Sequence, residues 1–261
     1  MLIIILISIL TALIFAPLGC IALWKRYVYF GDGLAHAAIL AGSISVIFEL
    51  PLVLSGIITA IIFAILVFKF KNVSGTNATV NLTSSLMLSV AIILAIINPT
   101  RLNINQLLFG DIISSSQYDL VILLFVLIAV YSFITFFYKQ ILLIVLDRDI
   151  AYVKKIQVNL IELSFLVLLS ISVFTTIKIV GSLLVTSMLI IPAVSARMIS
   201  SSPLQMIFIS ILFAITSNLV GLYISYIKDV PIAPVIIIVE SLIYLSCYLI
   251  SVNRNFVANK D

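Results

Sequence analysis

Residues 2–23 read LIIILISILTALIFAPLGCIAL, with no charged side chain among them. A helix rising about 1.5 Å per residue crosses the roughly 30 Å hydrocarbon core of a bilayer in about 20 apolar residues. The stretch is therefore expected to be a membrane span. The pattern repeats at 33–50, 52–68, 82–98, 119–138, 159–176, 179–197, 204–227 and 232–251, which gives about nine spans; eight to ten remain compatible with the shorter runs. Pro51, Pro99, Pro203 and Pro231 fall at the junctions, where a residue without a backbone N–H does least harm. The expected fold is an all-α polytopic membrane protein, with residues 1–261 as a single transmembrane domain.

Composition agrees. Of 261 residues, 64% are hydrophobic and 9% charged, against roughly 45–50% and about 25% in soluble domains. The mean hydropathy is +1.37. Such a chain is excluded from the cytosolic globular, disordered and secreted disulfide classes. The net charge of +4 is spread in ones and twos, with no basic stripe for nucleic acid. An outward N-terminus places Lys25, Arg26, Lys69, Lys71, Lys139, Arg148, Lys154, Lys155, Arg197, Arg254 and Lys260 on the cytoplasmic side. It leaves only Arg101, Lys178 and Lys228 outside, as the positive-inside rule requires.

Cys20 and Cys247 lie in apolar runs without metal or redox spacing, and read as inert core residues. Pro17-Leu18-Gly19-Cys20 has a faint likeness to a lipoprotein cleavage site. No basic segment precedes it, and Trp24-Lys25-Arg26 reads as an interfacial anchor, so an uncleaved first span is expected. Three stretches are not spans. Residues 72–81 read as a flexible polar linker, 99–118 as a short surface or re-entrant helix on the outer side, and 139–158 as a long charged cytoplasmic loop.

The chain has no G-x-x-x-x-G-K-[ST], H-E-x-x-H or G-x-S-x-G motif, and its single histidine cannot build a three-histidine zinc site. Phe-Gly-Asp occurs at 30–32 and 109–111. Membrane aspartyl proteases carry a glycine two places before such a Gly-Asp pair, where Tyr29 and Leu108 stand here. Ionisable groups within spans cost about 2.5–3.5 kcal/mol each on insertion scales, so each needs a reason.

Asp32 and His36 make the strongest pair. Four residues apart, they share a helix face with Cβ atoms about 5–6 Å apart, and carboxylate and imidazole both bind first-row metals. Two copies of the chain related by a two-fold axis would supply two of each. Small residues from Ala35 to Gly42, among them the Ala38 and Gly42 pair, suit close packing of helices. The plain alternative makes Asp32 a helix N-cap and His36 the partner of a nearby carbonyl. Glu240 is either a pathway group or a neutral acid bonded to a neighbouring helix. Glu162 is expected to snorkel or to pair with Lys154 or Lys155. Pro192 is expected to kink its span as a possible gate and to free the Met188 carbonyl, with Thr186 or Ser187 to compensate.

Tyr29-Phe30-Gly31-Asp32-Gly33-Leu34-Ala35-His36-Ala37 resembles the F-G-D-x-x-x-H-A segment of bacterial manganese/zinc/iron ABC-transporter permeases. Ala16-Pro17-Leu18-Gly19 with Trp24-Lys25-Arg26, Leu108-Phe109-Gly110-Asp111, and the run from Val180 to Ala193 resemble further segments of that family in order. The likeness covers essentially the whole chain and is closest to the zinc-uptake members.

The resemblance implies the membrane subunit of an ATP-driven importer in the bacterial inner membrane, working as a homodimer, with zinc as cargo and manganese or iron as the alternatives. Metal would be transported rather than kept as a cofactor. The resemblance also implies that Asp32 and His36 contact it in transit. It further implies a separate ATPase, so that the chain itself is no enzyme, and an extracytoplasmic metal-binding protein. Asp149-Ile150-Ala151-Tyr152-Val153 resembles the helix that docks into the ATPase. Lys155 stands where the family places a glycine, which makes the end of that helix a point of departure. A proton-coupled secondary transporter using Glu240 or Asp32 is the main rival, and the charged loop at 139–158 argues against it.

Overall fold

The computed structural model describes residues 2–97, 110, 112 and 115–258. In chain order the helices are α1 (Leu2–Trp24), α2 (Phe30–Ile47), α3 (Leu52–Ser74), α4 (Thr76–Ile97), α5 (Gln117–Leu146), α6 (Arg148–Val153), α7 (Val158–Val180), α8 (Ser182–Ile199), α9 (Pro203–Lys228) and α10 (Ile232–Ala258). All but α6 are long and apolar enough to span a bilayer, which makes nine among the described residues. Each expected span falls on one of them.

Two boundaries differ from the sequence reading. The flexible linker expected at 72–81 is helical on both sides of Gly75, which alone turns the chain, with φ +79°. Polar residues there do not break the helix, because hydroxyls fold back on it: Thr79 donates to the Gly75 carbonyl at 2.8 Å and Ser84 to that of Asn81 at 3.0 Å. The loop expected at 139–158 is also shorter. Helix α5 has 30 residues, about 45 Å of rise, so it projects beyond the bilayer. Ile141 and Ile144 keep its inner stripe buried up to Leu146. The surface helix expected over 99–118 lies outside the described residues, except for Gly110, Ile112 and 115–118.

Helix α1 lies at the centre, against α5, α8 and α9; α10 packs on α8 and α9. On the other side α2 packs on α3 and α4, and α3 on α7. Lipid gives helices no hydrophobic reason to associate, so close packing must hold them. Ala37, Ala38, Ala41 and Gly42 are accordingly buried within the chain's own bundle. The small-residue face anticipated as a contact between copies therefore serves α2 internally, and the opposite face is left open.

Both ends of the bundle carry polar fastenings. At one end Ser116 and Asp119 form a reciprocal capping box at the start of α5, and Lys178 of α7 reaches Asp119 at 3.3 Å. At the other end α1 finishes with Arg26 at φ +60°. There the Tyr27 N–H donates to the Ala22 carbonyl at 2.8 Å and the Arg26 N–H to that of Leu23 at 3.2 Å. This is a Schellman ending made without glycine.

Candidate metal path and cytoplasmic coupling helix

The first turn of α2 sits deep in the bundle. A Cβ on Gly31 would touch the Leu189 side chain at 3.1 Å, and one on Gly19 would strike the Leu189 carbonyl oxygen. Gly19 and Gly31 thus lie level with the middle of α8. The connector 25–29 is pinned by aromatic contacts: Phe30 meets Tyr27 edge-on at 6.0 Å and Phe63 at 5.2 Å between ring centroids.

Asp32 and His36 share the exposed face of α2, flanked by half-buried Ala35 and Ile39. The N-cap of α2 is Tyr29, with no side-chain cap, so Asp32 is not the cap that the plain reading made of it. Among the described residues neither Asp32 nor His36 makes a side-chain hydrogen bond, and no three or more His, Cys, Asp or Glu residues cluster as a metal site. One chain therefore offers two oriented ligands and an open side.

Pro192 lies inside α8, which continues through it to Ile199. Thr186 and Ser187 donate to the Leu183 and Leu184 carbonyls at 3.0 and 2.9 Å, so neither compensates Met188 as expected. Both hydroxyls fold back on the carbonyl three residues earlier, as helical Ser and Thr can.

At the end of the bundle that carries Lys25, α6 is capped by Asp147, whose carboxylate accepts the Asp149 and Ile150 N–H groups at 2.8 and 3.1 Å. Ala151 faces inward and is fully buried, whereas Ile150, Tyr152 and Val153 are exposed, Val153 to 83%. Lys155 adopts φ +57°. The Ile156 N–H donates to the Ala151 carbonyl at 3.1 Å and the Lys155 N–H to that of Tyr152 at 2.9 Å, which closes a Schellman motif. The helix end is thus the one a glycine would favour, although lysine occupies it.

Sequence reasoning missed the polar centre beside α6. Glu162, only 4% exposed, pairs with Lys25, Lys71 and Arg148, not with Lys154 or Lys155. Oε1 accepts from Lys25 at 2.5 Å; Oε2 accepts from Lys71, and from Arg148 at 3.2 Å. Burial pulls the Lys25 ammonium below the usual lysine range, with Glu162 opposing the shift. Burial, reinforced by the Glu162 charge, raises the neighbouring Tyr27 phenol. Lys25 and Lys71 lie 137 and 91 residues from Glu162, so no local pattern could join them. Glu240 of α10 is 2% exposed beside Ser187 of α8; that hydroxyl donates to the Leu184 carbonyl instead, and neither carboxylate oxygen has a hydrogen-bond partner among the described residues.

Comparison with known proteins places this architecture. Residues 1–251 match the model of the ABC 3 transport family. The chain belongs to the ABC 3 transport family. As a member it is a transport subunit and a multi-pass protein of the bacterial inner membrane. It is 30% identical over 233 residues, 88% of this chain and 89% of its relative, to the high-affinity zinc uptake system membrane protein ZnuB of Buchnera aphidicola subsp. Schizaphis graminum. It is 25% identical, across 97% of this chain and 92% of the other, to the manganese import system permease protein ScaB of Streptococcus gordonii. In three dimensions this ABC 3 chain is similar to PsaBC from Streptococcus pneumoniae in complex with Fab, with a TM-score of 0.85 and 26% identity over 99% of this chain and 94% of that one.

Proposed function

We propose that this chain is the permease subunit of an ATP-driven importer of divalent transition metals, with zinc as the cargo. The observation that carries the metal assignment is the placement of Asp32 and His36 on one open face of α2, level with the middle of α8. A second copy facing it across a two-fold axis would complete a four-ligand set of two carboxylates and two imidazoles. Metal would pass through that set as transported substrate. The relatives named for zinc and manganese support the cargo class. Intrinsic affinity does not separate these metals, and zinc leads because the 30% identical relative is named for it.

The chain has no nucleotide motif, so the energy must enter from an ATPase partner, with α6 as the docking element. Ile150, Tyr152 and Val153 project from a short capped helix seated through Ala151, a shape that fits a groove on such a partner. An extracytoplasmic metal-binding protein would deliver the cargo. Membership of an ABC transport family favours this scheme over proton coupling.

The test is uptake of zinc, manganese and ferrous iron, in competition, into vesicles holding the complete transporter. Asp32→Asn keeps the shape and removes the charge; His36→Ala removes the nitrogen ligand. Each is expected to abolish most zinc uptake while the variant still inserts and assembles. Near-normal uptake by both would remove the metal-path reading.

A further inference from the structure

The Glu162 carboxylate, beside α6, serves cations from three separate elements. Lys25 stands on the connector between α1 and α2, Lys71 in the last turns of α3, and Arg148 at the first position of α6. Three cations around one anion leave an excess of positive charge at a largely buried site. The lysines are the enclosed members, with side chains 12% and 5% exposed, and Arg148, at 39%, is the exposed one. Arg148 is also the one whose helix is lightly held. Besides its chain connections, α6 is fixed by the buried Ala151 and by long contacts of Arg148 and Tyr152 with the Asn159 amide oxygen, both 3.4 Å.

Lys25, in turn, governs the approach to Asp32. The connector 25–29 runs from Lys25 through Tyr27, which packs on Phe30 and lies within 3.3 Å of the Lys71 ammonium. Two residues after Phe30 comes Asp32. An unbroken set of polar and aromatic contacts therefore links the first residue of α6 to the first turn of α2.

We propose that Glu162 is a positioning residue that relays movement of α6 to the metal-bearing face of α2, by holding Arg148 of α6 and Lys25 of the connector on one carboxylate. When a partner moves α6, Arg148 draws on Glu162, and Glu162 carries Lys25 and the connector with it. When α6 returns, the connector returns with it. This inference rests on the reading of α6 as the docking helix.

The experiment uses the complete transporter in vesicles and reads ATP hydrolysed per zinc ion imported. Arg148→Met leaves Glu162 held by two lysines, so the bundle should fold, and assembly with the ATPase is read alongside because Arg148 opens the docking helix. The expected result is a rise in ATP spent per zinc of at least about fivefold, the lower end of ordinary coupling between linked sites. Arg148→Lys should restore part of the coupling, which a merely structural role would not predict. Lys25→Met, remote from the docking surface, should raise the same ratio, and combining it with Arg148→Met should add little, since both act through one carboxylate. Lys25→Met also carries the test if Arg148→Met fails to assemble. Val153→Asp, on the exposed side of α6, separates the two levels of the proposal. If Val153→Asp uncouples transport while Arg148→Met or Lys25→Met leaves the ratio unchanged, the relay is wrong and docking stands. If Val153→Asp changes neither assembly nor coupling, the docking reading itself fails.

Discussion

Gly19 of α1 and Leu189 of α8 meet so closely that a Cβ on the glycine would stand 1.8 Å from the leucine's carbonyl oxygen. The clash is with backbone, so no rotamer change can relieve it, and the helices must separate. Overpacking of this kind costs about 1–3 kcal/mol or more. Gly19→Ala is expected to lower the melting temperature of the purified protein clearly. Gly56→Ala is the comparison: its nearest neighbour is the Phe174 ring at 3.3 Å, which can tilt away. Equal melting temperatures for the two variants would show that α1 and α8 do not approach as described.

Lys155 holds a left-handed backbone at φ +57° at the end of α6. A side chain there costs about 1–2 kcal/mol relative to an unstrained conformation, and glycine avoids most of that. Lys155→Gly should therefore stabilise the α6–α7 turn by about 1 kcal/mol, measured as slower amide exchange at Ile156 and Lys155, whose N–H groups close the motif. Faster exchange would mean that the lysine side chain contributes something the backbone geometry does not reveal.

Much of this architecture was legible in the sequence because the bilayer imposes a length on every apolar run. The nine spans among the described residues follow from that constraint. What was not legible was which side of each helix faces which neighbour. Ala38 and Gly42 look the same whether they pack on another copy or on α3 and α4, and the structure chose the latter. Glu162 shows the same limit, since two of its three cations, Lys25 and Lys71, come from distant points in the chain and local spacing suggested Lys154 and Lys155 instead. The Asp32 and His36 pair was visible because four-residue spacing is a local property of a helix; that both lie on the open face required the packing.

The two partners of Asp119, Lys178 and Ser116, should differ in weight. Lys178 approaches it at 3.3 Å with a side chain 48% exposed, and such pairs contribute about 0–1 kcal/mol. Ser116 exchanges two hydrogen bonds with it at the start of α5, and losing a capping box costs about 1 kcal/mol, up to 2. Ser116→Ala, which removes the cap and leaves the ion pair, is expected to destabilise the protein more than Lys178→Ala in thermal melts. The reverse order would place the ion pair above the cap.

Glu240 has two buried carboxylate oxygens without partners among the described residues. A buried polar group left unpaired costs about 1–3 kcal/mol, and an apolar residue of similar length removes that cost. Glu240→Met is expected to raise the melting temperature and to leave zinc uptake unchanged. Loss of uptake with the fold intact would assign Glu240 a part in transport.

The face that carries Asp32 and His36 yields the most direct test of how two copies meet. Ala35 and Ile39 flank the pair and are half-buried, whereas Ala38 and Gly42 are enclosed by the chain's own helices. If two copies share a central path along this face, single cysteines at 35 or 39 should cross-link between copies under mild oxidation. Cysteines at 38 or 42 should not, since their sulfurs would point into the bundle. Cys20 and Cys247 are both buried, and replacing them with alanine gives a clean background. The pattern is expected to follow helix spacing, because residues three and four apart share a face and their neighbours do not. Added zinc should reduce cross-linking at 35 and 39 if it draws the four ligands into one set and fixes the distance between the helices. Cross-links at 38 and 42 in place of 35 and 39 would mean that α2 turns its small-residue side to the partner, and Asp32 and His36 would then have no second pair of ligands to meet.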